Sequence, residues 1–90
     1  MQNKVLIHLM VPELASDFDV FIPVNELIWK IQLLLLKSVC DLSQIQMNQN
    51  LNYYLLNKDT NRIYNSNEIV IDTDIRNGTE LLLLSKSLGE

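Results

Sequence analysis

The stretch Pro23 to Cys40, P-V-N-E-L-I-W-K-I-Q-L-L-L-L-K-S-V-C, decides how the rest of the chain is read. It is the one long segment with helical spacing. Proline suits the first turn of a helix, where its missing N–H has no intrahelical partner anyway, so the pattern predicts a helix from Pro23 or Val24 to Cys40. Glu26 would then meet the positive end of the helix dipole and Lys37 the negative end. Leu27, Ile28, Ile31, Leu34 and Leu35 recur at spacings that share one face. At about 100° per residue, Trp29, Leu33, Leu36 and Cys40 fall on the opposite side. A helix on a small domain needs one apolar stripe. This one has two, so one is assigned to the core and the other calls for a partner.

The flanking segments read as strands. Lys4 to Val11 alternates, with Val5, Ile7, Leu9 and Val11 facing one way and Leu6, His8 and Met10 the other. Pro12 to Asp17 is a turn. Phe18 to Ile22 is a second alternating segment, and a short loop between two strands makes an antiparallel hairpin. After the helix, Asp41 to Asn50 is a polar loop with Leu42, Ile45 and Met47 as anchors into the core. Leu51 to Leu56 is a third strand. Asn57 to Arg62 turns by composition, Ile63 and Tyr64 add a very short strand, and Ser66 or Asn67 caps a helical turn through Val70. Asn77-Gly78 is a strong turn signal, and Thr79 to Leu84 is the last strand.

One helix covers one face of a sheet and leaves the other exposed. The helix also supplies the long crossover that lets the first and last strands run parallel at the centre. The order therefore predicts an α+β β-grasp fold, that of ubiquitin: a mixed four- to five-stranded sheet with one main helix packed on one face. Residues 1–90 are expected to form one domain, with an ordered core of about 4–84 and a tail at 85–90. The expected core is Val5, Ile7, Leu9, Val20, Ile22, Leu27, Ile31, Leu35, Leu55, Ile75, Leu81 and Leu83.

Composition excludes several function classes. A net charge of −4 without a basic cluster makes a poor ligand for phosphate backbones, so no nucleic-acid partner is expected. A single cysteine cannot close an intramolecular disulfide, which favours a cytoplasmic setting. The apolar runs Leu33–Leu36 and Leu81–Leu84 are far short of the roughly 20 residues a spanning helix needs, so no direct membrane insertion is expected.

No residue set spells out catalysis. Cys40 and His8 are the only cysteine–histidine pair, and the strand and helix place them on opposite sides of the sheet, out of hydrogen-bond reach. A packed cysteine and a surface histidine is the preferred reading. Asp72 and Asp74 lack the dense ligand spacing and the glycine of a calcium loop, and read as a solvated bend. One glycine at Gly78 is no phosphate-binding motif. The chain ends Ser87-Leu88-Gly89-Glu90, without the diglycine that ubiquitin-type conjugation or sulfur transfer would use. No catalytic residue, metal or cofactor is assigned. A sulfur carrier or covalent modifier is the disfavoured alternative.

The segments Pro23-Val24-Asn25-Glu26-Leu27-Ile28 and Ile75-Arg76-Asn77-Gly78-Thr79-Glu80-Leu81 resemble the YukD/EsaB family of small bacterial ubiquitin-like proteins. That family opens its helix with proline and spaced apolar residues, and enters its last strand through a glycine turn. Thr79 stands where an acid is usual, and Leu33 and Leu36 where polar residues are common. The resemblance implies a cytosolic accessory of type VII (Ess/WXG-type) secretion in Gram-positive bacteria, acting by binding proteins. The implied partner is a membrane or ATPase component of that system.

Two apolar surfaces are the expected protein-binding sites. The outward helix face would carry Trp29, Leu33 and Leu36, beside Cys40, and a second copy of the chain could pack on that ridge. The outward sheet face would carry Leu6, His8, Met10, Phe21, Tyr54, Leu82 and Leu84. Contiguous apolar patches on small proteins usually mark contacts.

Overall fold

A computed structural model describes residues 3–44 and 53–85. The strands are β1 (Lys4–Val11), β2 (Ser16–Pro23), β3 (Tyr53–Asn57) and β4 (Glu80–Ser85), and the helix α1 is Ile28–Ser43. They form a four-stranded mixed sheet in the order β2-β1-β4-β3. β1 pairs antiparallel with β2 and parallel with β4, and β3 pairs antiparallel with β4. The first and last strands thus lie side by side and parallel at the centre, as the crossover argument requires.

Each strand buries alternate residues. Ile7, Leu9 and Val11 of β1, Ile22 of β2, Leu55 of β3, and Leu81 and Leu83 of β4 face the helix and are buried. Ile28, Ile31, Leu35, Leu36 and Val39 meet them from α1. Val5, Phe18 and Val20 are half-buried at the margin of this core. Tyr64, Val70 and Ile75, from the long connection between β3 and β4, close its remaining side.

The helix starts later than its proline suggests. Pro23 is the last residue of β2, and α1 begins at Ile28 after Leu27. The intervening residues are held by another segment: the Ile71 N–H donates to the Val24 carbonyl, the Val70 N–H to that of Glu26, and Leu27 bridges Ile69. Leu27 is half-buried in this bridge and is not part of the central core. Glu26 therefore precedes the helix, where it lies 3.8 Å from Lys30.

No side chain caps the first turn of α1. Its free N–H groups are met by the loop: Ile28 donates to the Glu68 carbonyl at 2.8 Å and Trp29 to that of Ser66 at 3.2 Å. This satisfies donors that every helix start leaves open. The helix also runs past Cys40 to Ser43, ending at Gln44 in a left-handed conformation. Lys37 is therefore not in the last turn. Leu42 lies in the final helical turn and is 62% exposed, so it is not an anchor into the core. Ile45 and Met47, the other expected anchors, lie outside the described residues, as do Leu51 and Asn52, expected to open the third strand, and residues 86–90 of the expected tail.

The short helical turn expected through Val70 occupies Val70–Asp72 and starts after Ile69, not at Ser66 or Asn67. The Asn77-Gly78 signal holds in full. Gly78 has φ of +87°, the left-handed value glycine adopts without strain. The turn also docks β4 on β1: Leu6 donates its N–H to Asn77 Oδ1 and accepts from the Gly78 N–H, each at 2.8 Å. Thr79 completes the turn by accepting the Arg76 N–H on its hydroxyl at 2.8 Å.

Candidate protein-interaction surfaces

The sheet surface assembles as its alternation requires. β1 sets Leu6 opposite Phe21 and His8 opposite Asp19 on β2, and Met10 opposite Leu82 on β4. β3 sets Tyr54 opposite Leu84. Leu6, His8, Met10, Phe21, Tyr54, Leu82 and Leu84 therefore share the face turned away from α1. Phe21 is the most open of them, at 60% exposure. Leu56, opposite Leu82, joins the same face.

Charged residues on this face escaped the apolar reading. His8 sits between two carboxylates, with Nδ1 2.7 Å from Asp19 Oδ1 and Nε2 2.8 Å from Asp17 Oδ2. Both ring nitrogens can donate at once only in the imidazolium form. The Asp19 hydrogen bond is the largest influence and holds the His8 pKa above its ordinary value; partial burial opposes it, and Asp17 adds to it. Beside this group, Lys58 Nζ pairs with Glu80 at 3.3 Å. The signal was available: acids spaced two apart in an alternating strand land on one face, beside whatever the neighbouring strand presents.

The helix surface is smaller than expected. Trp29 and Leu33 are 41% and 56% exposed, but Leu36 is only 3% exposed and belongs to the core. Trp29 and Leu36 are seven residues apart, so their directions differ by only about 20°. Periodicity cannot separate them. The buried arc of α1 turns from Ile28 and Ile31 towards Leu36 and Val39 along its length, so one direction is exposed at the first turn and covered two turns later. Leu34, assigned to the core side, is 41% exposed. The remaining ridge is Trp29 and Leu33, with Lys30 Nζ 5.6 Å from the Trp29 ring centroid.

Cys40 and His8 stay apart. His8 is on the open sheet face, and Cys40 is half-buried on the helix side, against the core. Among the described residues no group of three or more His, Cys, Asp or Glu is placed to hold a metal ion, and no helix is long and apolar enough to cross a membrane.

A polar network in the connection before β4 fixes the loop that caps α1. The Tyr64 hydroxyl donates to Asp74 Oδ1 at 2.5 Å and accepts from Asn57 Nδ2 at 3.1 Å. Burial, then the Asp74 hydrogen bond, pushes the Tyr64 hydroxyl up to about 12. Arg62 lies over the Tyr64 ring and pairs with Glu68 at 2.5 Å. Glu68 Oε1 in turn accepts the Asn65 N–H at 2.8 Å. This places the Glu68 backbone carbonyl under the helix start.

Neither protein-family models nor curated protein sequences match the chain. Solved structures do. A chain of the MycP5-free ESX-5 inner membrane complex superposes with a TM-score of 0.80 at 16% identity, over 99% of this chain and 22% of that one. The ubiquitin of Caldiarchaeum subterraneum superposes with a TM-score of 0.64 at 14% identity, over 97% and 99% of the two chains. The ubiquitin-like domain of Plasmodium falciparum Dsk2 gives 0.66 at 12% identity, over 92% and 99%. The fold is the ubiquitin-like β-grasp. At these identities the likeness establishes the β-grasp fold and nothing finer, and the chain spans about a fifth of the ESX-5 component it matches.

Proposed function

We propose that this β-grasp chain is a non-conjugated adaptor or regulator of a bacterial type VII secretion system, acting by binding proteins. The observation that carries the reading is apolar surface exposed on both the sheet face and the helix among the described residues. Phe21 and Leu6 stand open on the sheet face, and Trp29 and Leu33 on the helix. Tryptophan on a rigid helix is a good anchor for a partner, since aromatic groups dominate binding hot spots. The secretion context is supported by the likeness to a chain of the ESX-5 inner membrane complex and by the resemblance of the Pro23–Ile28 and Ile75–Leu81 segments to YukD/EsaB. The proposed partner is a membrane or ATPase component of that system, and the proposed setting is the cytoplasm. The chain acts in this reading without chemistry of its own.

Affinity capture from membranes of the native cells tests the proposal. The wild-type chain should recover a type VII membrane or ATPase component, and a Trp29→Ala, Leu33→Asp variant or a Phe21→Asp variant should recover less of it. Intact mass after incubation with ATP and an activating enzyme supplies the opposing outcome. An adduct at the terminal carboxylate would replace the adaptor with a covalent modifier.

A further inference from the structure

β2 is an edge strand of the sheet, and among the described residues no strand pairs with its outer backbone. The His8 N–H donates to the Thr79 carbonyl and the Gly78 N–H to the Leu6 carbonyl, so these β1 groups point towards β4. Strand alternation then turns the backbone of Ile7 and Leu9 towards β2, where they oppose Val20 and Phe18. On β2, the N–H and C=O groups of Asp17, Asp19 and Phe21 must therefore point outward. No other described element hydrogen-bonds them. The next outward position is Pro23, which has no N–H and ends the edge.

The side chains at these positions carry negative charge. Asp17 and Asp19 use one oxygen each on His8, and their other oxygens have no partner among the described residues. The side chains are 59% and 70% exposed, so a cation can approach them. With His8 protonated the group is still net negative. A second copy of the chain is a poor occupant. An antiparallel pair centred on Asp19 would set that carboxylate against its own copy, which is destabilising. A pair centred on Phe21 would set Asp19 against Pro23, which has no N–H to give.

We infer that the β2 edge accepts an extended peptide as an added strand, with lysine or arginine at alternate positions facing Asp17 and Asp19. The peptide backbone would pair with the outward groups of Asp17, Asp19 and Phe21, the general mode of strand addition. Its basic side chains would lie on the open face, and its intervening aliphatic residues would extend the surface of Phe18 and Val20 on the helix side. This goes beyond the adaptor reading, because it names the chemistry of a ligand at an edge distinct from the helix ridge.

The probe is a short synthetic peptide of alternating valine and lysine, titrated into the folded chain and followed by amide NMR. The amides of Asp17, Asp19 and Phe21 should shift and exchange more slowly with solvent. A peptide with glutamate for lysine should not bind. An Asp17→Asn, Asp19→Asn variant, confirmed folded by its unchanged amide spectrum elsewhere, should bind about tenfold more weakly, the loss expected for two exposed ion pairs. Equal binding of both peptides would overturn the inference. So would no binding, shifts confined to Trp29 and Leu33, or edge protection that grows with protein concentration alone. The peptide is no secretion component, so failure here leaves the adaptor reading standing. Loss of the adaptor reading leaves the peptide result intact.

Discussion

Replacing Leu36 and Leu33 separately by alanine separates the two sides of α1. The residues are neighbours on the helix and carry the same side chain, yet Leu36 is 3% exposed and Leu33 is 56% exposed. Leu36→Ala removes buried methyl groups and leaves a cavity beside Leu35 and Val39, at a cost of about 2–5 kcal/mol. Leu33→Ala trims a surface group and should change stability by about 0.5 kcal/mol or less. For a domain of this size each kcal/mol moves the melting temperature by about 4–8 °C. Leu36→Ala should therefore lower Tm by at least about 8 °C, and Leu33→Ala by no more than about 4 °C. Urea unfolding should show a lower midpoint for Leu36→Ala at an unchanged slope, since the surface exposed on unfolding is nearly the same. Equal costs at the two positions would refute the orientation of α1, and with it the Trp29–Leu33 ridge as a free surface.

Tyr64→Phe removes the hydroxyl that joins Asp74 to Asn57 and leaves the buried Asn57 amide without that acceptor. It should cost about 1–3 kcal/mol by equilibrium unfolding, and amide exchange at Ile28 and Trp29 should quicken as the capping loop loosens. His8 gives a pH dependence of defined sign. Its folded pKa lies above the ordinary 6.5, so its stabilisation is complete below that value and is lost as pH rises through the folded pKa. Tm should fall across that rise in wild type and stay flatter in His8→Gln; a Tm that climbs with pH through this range would contradict the Asp17–His8–Asp19 arrangement.

The strands were legible because burial on one face writes itself as alternation. Val5, Ile7, Leu9 and Val11 could face only one way once the core was placed, and the parallel centre followed from the length of the crossover. The start of the helix was not legible. A proline whose φ suits a first helical turn equally suits the end of an edge strand, and only the hydrogen bonds from Val70 and Ile71 to the Val24–Glu26 segment decide between them. Leu36 was missed because helical spacing gives a direction and does not say where along the axis the neighbouring elements cover it. Tyr64 and Val70 were missed because they sit in a connection without periodicity. The partners that make burial of Tyr64 tolerable, Asn57 and Asp74, are separated from it by seven and ten residues. The acidic edge at Asp17 and Asp19 was visible as spacing, but its meaning needed the strand order that places β2 outermost.

Secretion from the native cells measures the central claim most directly. The chain is deleted, and export of WXG-type substrates is followed by quantifying them inside and outside the cells. Deletion should leave these substrates inside. The wild-type chain should restore export, while Phe21→Asp and the Trp29→Ala, Leu33→Asp double change should fail to do so, although each still folds, with Tm lowered by no more than about 4 °C for the single change and about 8 °C for the double one. Unchanged export on deletion, or full rescue by both surface variants, would contradict an adaptor that works through these faces.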